Sequence, residues 1–179
     1  FLVFEAVGHP AGLEHEVIGK GGNITYAARE FKKWMELQEM NPGHILVTTL
    51  DADNRVHENY LASVAYAYIT TPDRCYQSYQ PIPMYLNNIW DTAAPARMIA
   101  TGSSFWWAIQ STRPHQLRNF SSHAQPMPAL LKTDFWSVRT IVEDGHQFWR
   151  TYFALNGKHD VIPTFVPIYQ DAVLSDRYR

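Results

Sequence analysis

Residues 44–61 read HILVTTLDADNRVHENYL. The continuous apolar run Ile45-Leu46-Val47 is the pattern of a strand covered on both faces. It ends on Asp51-Ala52-Asp53, and a helical spacing of Tyr60, Leu61, Val64, Ala65 and Tyr68 follows, stopping before Thr71-Pro72. Two carboxylates so close repel each other unless a cation sits between them or water reaches both. In open α/β sheets, ligands bind beyond the carboxyl ends of the strands. The acidic pair stands at such an end.

Outward from this stretch, strand and helix patterns alternate. FLVFEAVG (1–8) reads as a first strand closed by Gly8 and Pro10, and a glycine-rich connection follows it. From Ile24 to Met40, Ile24, Ala27, Ala28, Phe31, Met35 and Leu37 keep helical spacing, with Asn23 or Thr25 as cap and Asn41-Pro42-Gly43 as stop. CYQSYQP (75–81) alternates like a strand. Residues 82–127 predict one or two helices over 88–112, broken near Pro95, and a short strand near Phe120. Residues 144–156 predict a helix, and VIPTFVPIY (161–169) a last strand whose prolines place it at an edge or make it irregular. The alternation predicts an α/β class with a mostly parallel sheet and flanking helices in a single domain over 1–179.

Composition narrows the function. The chain has 179 residues, 46% hydrophobic and 18% charged, which suits a globular domain with a core. A net charge of -2 offers no basic face for nucleic acid. Cys75, the single cysteine, excludes an internal disulfide and any multi-cysteine zinc site. In an alternating strand it reads as a core residue. No apolar run reaches the ~18 residues of a membrane span, and no signal peptide is visible. The chain opens on Phe1 inside a strand pattern and closes on DRYR, so a piece of a longer protein is expected.

Three stretches carry chemistry. Asp51 and Asp53 offer hard oxygen donors suited to Mg²⁺ or Mn²⁺, which commonly take one or two protein carboxylates together with substrate phosphates. The bland reading is a solvated turn. An EF-hand fails, because Val56 and Ala62 stand where that loop needs Gly and Glu. TIVEDGHQFWR (140–150) opens a helix with Glu143 and Asp144, either a helix cap or a general base. GKGGN (19–23) places Lys20 beside two glycines before a helix, where backbone N–H groups could approach a diphosphate, or where a loop could simply be flexible. It is not a Walker A sequence. The histidines form no recognisable zinc pattern, and no Gly-x-Ser-x-Gly elbow occurs.

Taken in order, GKGGNITYA, a strand ending in DAD, and VEDGHQFWR resemble family 2 glycosyltransferases of the GT-A fold. The resemblance spans roughly residues 15–170. It implies a GT-A-like, Rossmann-related sheet, incomplete at the N-terminus, where the strand and loop that hold the nucleotide base are absent. It further implies an inverting glycosyltransferase moving a sugar from a nucleotide-diphosphate sugar, a UDP-sugar above all, to a glycan or lipid-linked hydroxyl acceptor. On that resemblance Asp51 and Asp53 bind Mg²⁺ or Mn²⁺, and Lys20 and Asn23 join them around the donor. Asp144 is the base, with Glu143, Ser122, Trp149 and Arg150 toward the acceptor, together with Ser121 and His123. A parent protein at the cytoplasmic face of a membrane, making cell-envelope or extracellular polysaccharide, is implied, with membrane contact only outside these residues. This chain has Thr25 where the family loop usually has Asn, and it stops at Arg179, before the Gln-x-x-Arg-Trp motif that membrane-bound, processive or cellulose-synthase-like members carry beyond the last strand could appear. A metal-dependent nucleotidyltransferase-like domain and an inactive carbohydrate- or partner-binding fragment are the alternatives. A glycosidase has no use for an Asp-x-Asp pair.

Overall fold

The computed structural model describes residues 5–173. Of the expected strand over 1–8, residues 1–4 lie outside the described residues, and Glu5–Gly8 form no strand. The described chain is α/β. A five-stranded sheet runs in the order β1-β4-β3-β5-β2, with β1 Leu46–Thr49, β2 Arg55–Val56, β3 Ser78–Met84, β4 His123–Pro126 and β5 Val161–Tyr169. The helices are α1 Lys20–Leu37, α2 Tyr60–Thr70, α3 Ala94–Ser111, α4 Met127–Lys132 and α5 Glu143–Ala154.

The expected mostly parallel sheet is not what forms. β3 and β5 pair parallel, whereas β1–β4, β3–β4 and β2–β5 pair antiparallel. Strand–helix alternation along a chain does not dictate strand direction. β4 enters the sheet at the end where β1 finishes, so Thr49 pairs with His123. Strands β1, β3 and β5 still share one direction, and their carboxyl ends gather on one side of the sheet. The start of β4 joins them there.

Helix α1 begins at Lys20, four residues earlier than its apolar spacing predicts. The glycines are therefore inside its first turn. A Cβ on Gly21 would lie 2.5 Å from the Ser137 carbonyl oxygen. This residue is glycine because another backbone passes against it. The Thr25 hydroxyl donates to the Trp136 carbonyl (3.0 Å) and fixes the same crossing. At the other end Glu39 turns left-handed (φ 52°), and the Met40 N–H returns to the Met35 carbonyl (3.1 Å). Helix α1 thus stops before Asn41-Pro42-Gly43.

Two cores flank the sheet. Ala28 and Met35 of α1 pack with Met127, Leu130, Phe135 and Trp136, and Val47 of β1 joins them. Tyr60, Val64 and Tyr68, four residues apart on α2, pack with Tyr79, Ala124 and Ile168, and Leu46 joins these. Adjacent residues of β1 thus serve opposite cores, as a strand covered on both faces requires.

Three further expectations shift. Pro95 does not break a helix; it sits in the first turn of α3, where a missing N–H is harmless. The short strand near Phe120 lies at 123–126. β5 lies inside the sheet and not at its edge, and there it is irregular. Gln80 faces Pro163 and Ile82 faces Pro167, so two steps on β3 span four on β5. Phe165 absorbs the excess at φ 51°. The bulge accommodates prolines in an interior strand, because the ladder is already interrupted where N–H groups are missing.

Among the described residues no helix is long and apolar enough to cross a membrane.

A pair of substitutions tests the close approach at Gly21. Alanine favours a helix interior over glycine by roughly 1 kcal/mol. At Gly102 of α3 nothing lies within 4 Å of a new Cβ. Gly102→Ala is expected to raise the urea midpoint accordingly. Gly21→Ala meets a backbone oxygen that cannot swing away, so overpacking outweighs propensity and stability falls by about 1–3 kcal/mol. Equal gains at both sites would refute the close approach.

Candidate functional site

The cluster forms where four chain segments meet beyond the sheet. The Lys20 ammonium is central. Its Nζ lies 2.6 Å from Asp51 Oδ1, 3.8 Å from Glu143 Oε1 and 3.8 Å from Asp144 Oδ1. It also donates to the Ser121 carbonyl at 2.9 Å. The start of α1, the end of β1, the lead into β4 and the start of α5 therefore converge on one nitrogen. GKGGN, DAD and VED, separate in sequence, belong to one site. Lys20 and Asp144 each retain 21% of their side-chain exposure, and Asp51 33%, so the group opens to solvent. Glu143 is buried.

The acidic turn after β1 is held by short-range polar contacts. The Asp51 N–H reaches Asn54 Oδ1 and Ser122 Oγ, both at 3.2 Å. The Ser121 hydroxyl donates to Asp51 Oδ2, and Gln170 Nε2 donates to that hydroxyl oxygen. Ser122 Oγ donates to Asn54 Oδ1. Asp53 is tied elsewhere. Its Oδ1 accepts from Asn54 Nδ2 (3.1 Å), its Oδ2 from the Asp171 N–H (2.9 Å), and its carbonyl from Asn87 Nδ2 (2.8 Å). Ser121 stands at φ 43°, a left-handed conformation that costs a non-glycine residue energy and is retained where surrounding contacts over-determine it. Its three polar partners supply that determination.

One ammonium faces three carboxylates, so the protons rearrange. Burial pushes the Asp51 carboxyl up, but hydrogen bonds from Lys20 and Ser121 outweigh it and hold it below its ordinary value. Asp144 goes the other way. Burial, opposed by Lys20 and reinforced by the charges of Glu143 and Asp51, raises it to about 7. His123, fully buried behind Asp144, is lowered to about 3 by burial first and then by Lys20 and His159. It is neutral at physiological pH.

A divalent cation fits the donor set in type. Asp51 and Asp53 are hard oxygen donors, and each carboxylate oxygen that accepts one hydrogen bond keeps a further lone pair. Among the described residues no group of three or more His, Cys, Asp or Glu is arranged to hold a metal. Two carboxylates suit a cation that arrives with a phosphate-bearing ligand.

The other sequence candidates separate. Ser122 belongs to the Asp51 turn. Asn23 is exposed on α1, lining a cavity of about 460 Å³ with His9, Leu13 and Glu16, away from the carboxylates. Trp149 lies in an aromatic row with Phe148, Tyr152 and Phe153, under the Arg118 guanidinium. Arg150 directs its donors to the carbonyls of Phe135 (2.6 Å) and Thr133, and so clamps the turn before α5. Sequence reasoning did not single out Asn54, Asn87, Gln170 or Asp171. The last three directly follow β3 and β5, and the rule that ligands gather at strand carboxyl ends was a signal for them.

The raised Asp144 carboxyl has a consequence for stability. Because its folded value of about 7 exceeds its unfolded value near 3.8, the fold favours the protonated form. That contribution is complete at low pH and is lost as pH rises toward 7. Asp144→Asn keeps the shape without the charge. Its stability advantage over the native chain should grow by roughly 1–3 kcal/mol between pH 5 and pH 8 in urea unfolding. A pH-independent difference would contradict the shift.

No known family model, no curated protein and no solved structure matches this chain.

Proposed function

We propose that this chain carries the catalytic centre of an inverting glycosyltransferase of GT-A type, acting from a nucleotide-diphosphate sugar on a hydroxyl acceptor. The observation that carries the reading is the meeting of Lys20, Asp51 and Asp144 around one nitrogen, within 3.8 Å. A cation flanked by an ionised carboxylate and a carboxyl balanced near neutrality suits a displacement that expels a diphosphate.

In this reading Asp51 and Asp53 would hold Mg²⁺ or Mn²⁺, which would supply charge neutralisation for a departing diphosphate. Lys20 contacts the same diphosphate as a compact, mobile cation. Asp144 accepts the proton of the acceptor hydroxyl as that oxygen bonds to the anomeric carbon. The bond from that carbon to the diphosphate oxygen breaks, and the nucleoside diphosphate leaves with the electron pair. A single displacement with one base inverts the anomeric centre. A general base works best with a pKa near the working pH, and a carboxyl raised to about 7 meets that condition. A UDP-sugar as donor, a glycan or lipid-linked acceptor, and a membrane-associated parent belong to the same proposal.

Calorimetric titration of UDP with Mn²⁺ tests it. Binding is expected to need the metal, and Asp53→Asn should weaken it at least about tenfold, the loss of one charged ligand being worth more than 1.4 kcal/mol. Lys20→Met should weaken it as well. UDP binding that ignores both Mn²⁺ and the Asp53 substitution would sink the reading.

A further inference from the structure

Behind the carboxylates lies an unexplained pair of atoms. His123 opens β4 and is wholly buried, yet neither ring nitrogen has a hydrogen-bond partner of ordinary geometry, although the Ser121 backbone stands close enough to favour its protonated form. Asp144 Oδ1, on the facing start of α5, is likewise buried and accepts no hydrogen bond, with the Lys20 ammonium 3.8 Å away. His123 Nδ1 and Asp144 Oδ1 face each other across 3.9 Å. Buried polar atoms are nearly always paired, and a group left without a partner typically costs about 1–3 kcal/mol. A neutral imidazole has one N–H donor and one acceptor, and an orphaned buried donor is the rarer of the two. The nitrogen with a carboxylate oxygen before it is Nδ1. Placing the hydrogen there aims the ring's one donor at an acceptor. The remaining gap is about 1 Å beyond a normal hydrogen bond, and hydrogen bonds of this kind are often long without substrate and tighten with it.

We propose that His123 is the positioning residue of Asp144: in its Nδ1–H tautomer it donates to Asp144 Oδ1 and holds the ionised carboxylate toward the acceptor side. The role of Asp144 as base rests on the transferase reading above; the hydrogen bond does not. His123 stays neutral throughout and takes up no proton. It orients a carboxylate whose other neighbours pull it in different directions. Lys20 from α1 attracts it, while Glu143 beside it on α5 and Asp51 at the end of β1 repel it. Lys20 and His159, which precedes β5, both disfavour an imidazolium. The site thus combines a donor that cannot become an acid with a carboxylate that needs a fixed direction.

Two measurements on the whole chain test this, and neither depends on sugar transfer. Long-range proton–nitrogen NMR of the native protein at pH 8 reads the His123 tautomer directly. Nδ1–H is expected; Nε2–H overturns the proposal. Carbon NMR then follows the Asp144 carboxyl in two variants. His123→Phe removes the donor and keeps the ring. His123→Asn places an amide N–H close to the former Nδ1 position. The titration midpoint should rise by roughly one pH unit in the Phe variant, since a hydrogen bond to the ionised form is lost. It should return to within about 0.3 of native in the Asn variant. An unmoved midpoint in His123→Phe, or an equal rise in both variants, overturns it. Should His123→Phe fail to fold, the native tautomer still decides. If Nδ1–H and the midpoints hold while UDP binding ignores Mn²⁺, the transferase reading fails and the His123–Asp144 pair stands.

Discussion

The Lys20–Asp51 ion pair ties the start of α1 to the end of β1, and the rest of the cluster is arranged around it. Without the ammonium, Asp51, Glu143 and Asp144 would crowd three negative charges at the mouth of the sheet. With it, Asp51 ionises readily, while burial keeps the proton on Asp144 up to neutrality against the pull of the ammonium. The pair is neither fully exposed, where screening would leave it nearly worthless, nor fully buried, where desolvation would cancel it. It is an intermediate case in which a ligand's charge can compete for the lysine. A diphosphate drawing Lys20 away would leave Asp51 a free anion beside Asp53, and a divalent cation would then be the natural replacement.

The fold supplies this geometry through one departure from regular alternation. β4 runs against β1 and β3, so its leading residues, Ser121 and Ser122, begin where β1 ends. A parallel β4 would have put its carboxyl end there and its leading serines at the opposite edge. The left-handed turn at Ser121 directs its carbonyl to Lys20 and its hydroxyl to Asp51 at once. The direction of one four-residue strand therefore decides which side chains can steady the acidic turn.

Local signals in the sequence were strong wherever the chemistry was local. Apolar spacing over 24–40, over 60–68 and over 144–156 pointed to helices that form as Lys20–Leu37, Tyr60–Thr70 and Glu143–Ala154, and the acidic turn followed from two aspartates closing an apolar run. The start of α1 was misjudged because glycines read as loop, whereas Gly21 is selected by the passing Ser137 backbone, a partner 116 residues away in the chain. The place of β5 inside the sheet was hidden by its prolines, which a bulge centred on Phe165 absorbs. Strand direction depends on contacts between distant segments, and no period in the sequence records it.

The candidate site was legible residue by residue but not as an arrangement. Lys20, Asp51 and Asp144 were singled out, and they meet. Arg150 was grouped with them on the family resemblance, in which an Arg follows the Asp by six residues. Its guanidinium instead satisfies the carbonyls of Thr133 and Phe135, in a turn where Asp134 and Phe135 are both left-handed. That turn leads through Trp136 and Ser137, the residues against which the first turns of α1 are packed. Arg150 thus acts on the cluster at a distance: it braces the segment that seats Gly21 and Thr25, and through them the helix end that carries Lys20. A guanidinium has a fixed fork of donors, and in this chain that fork meets two backbone oxygens before it could meet a ligand.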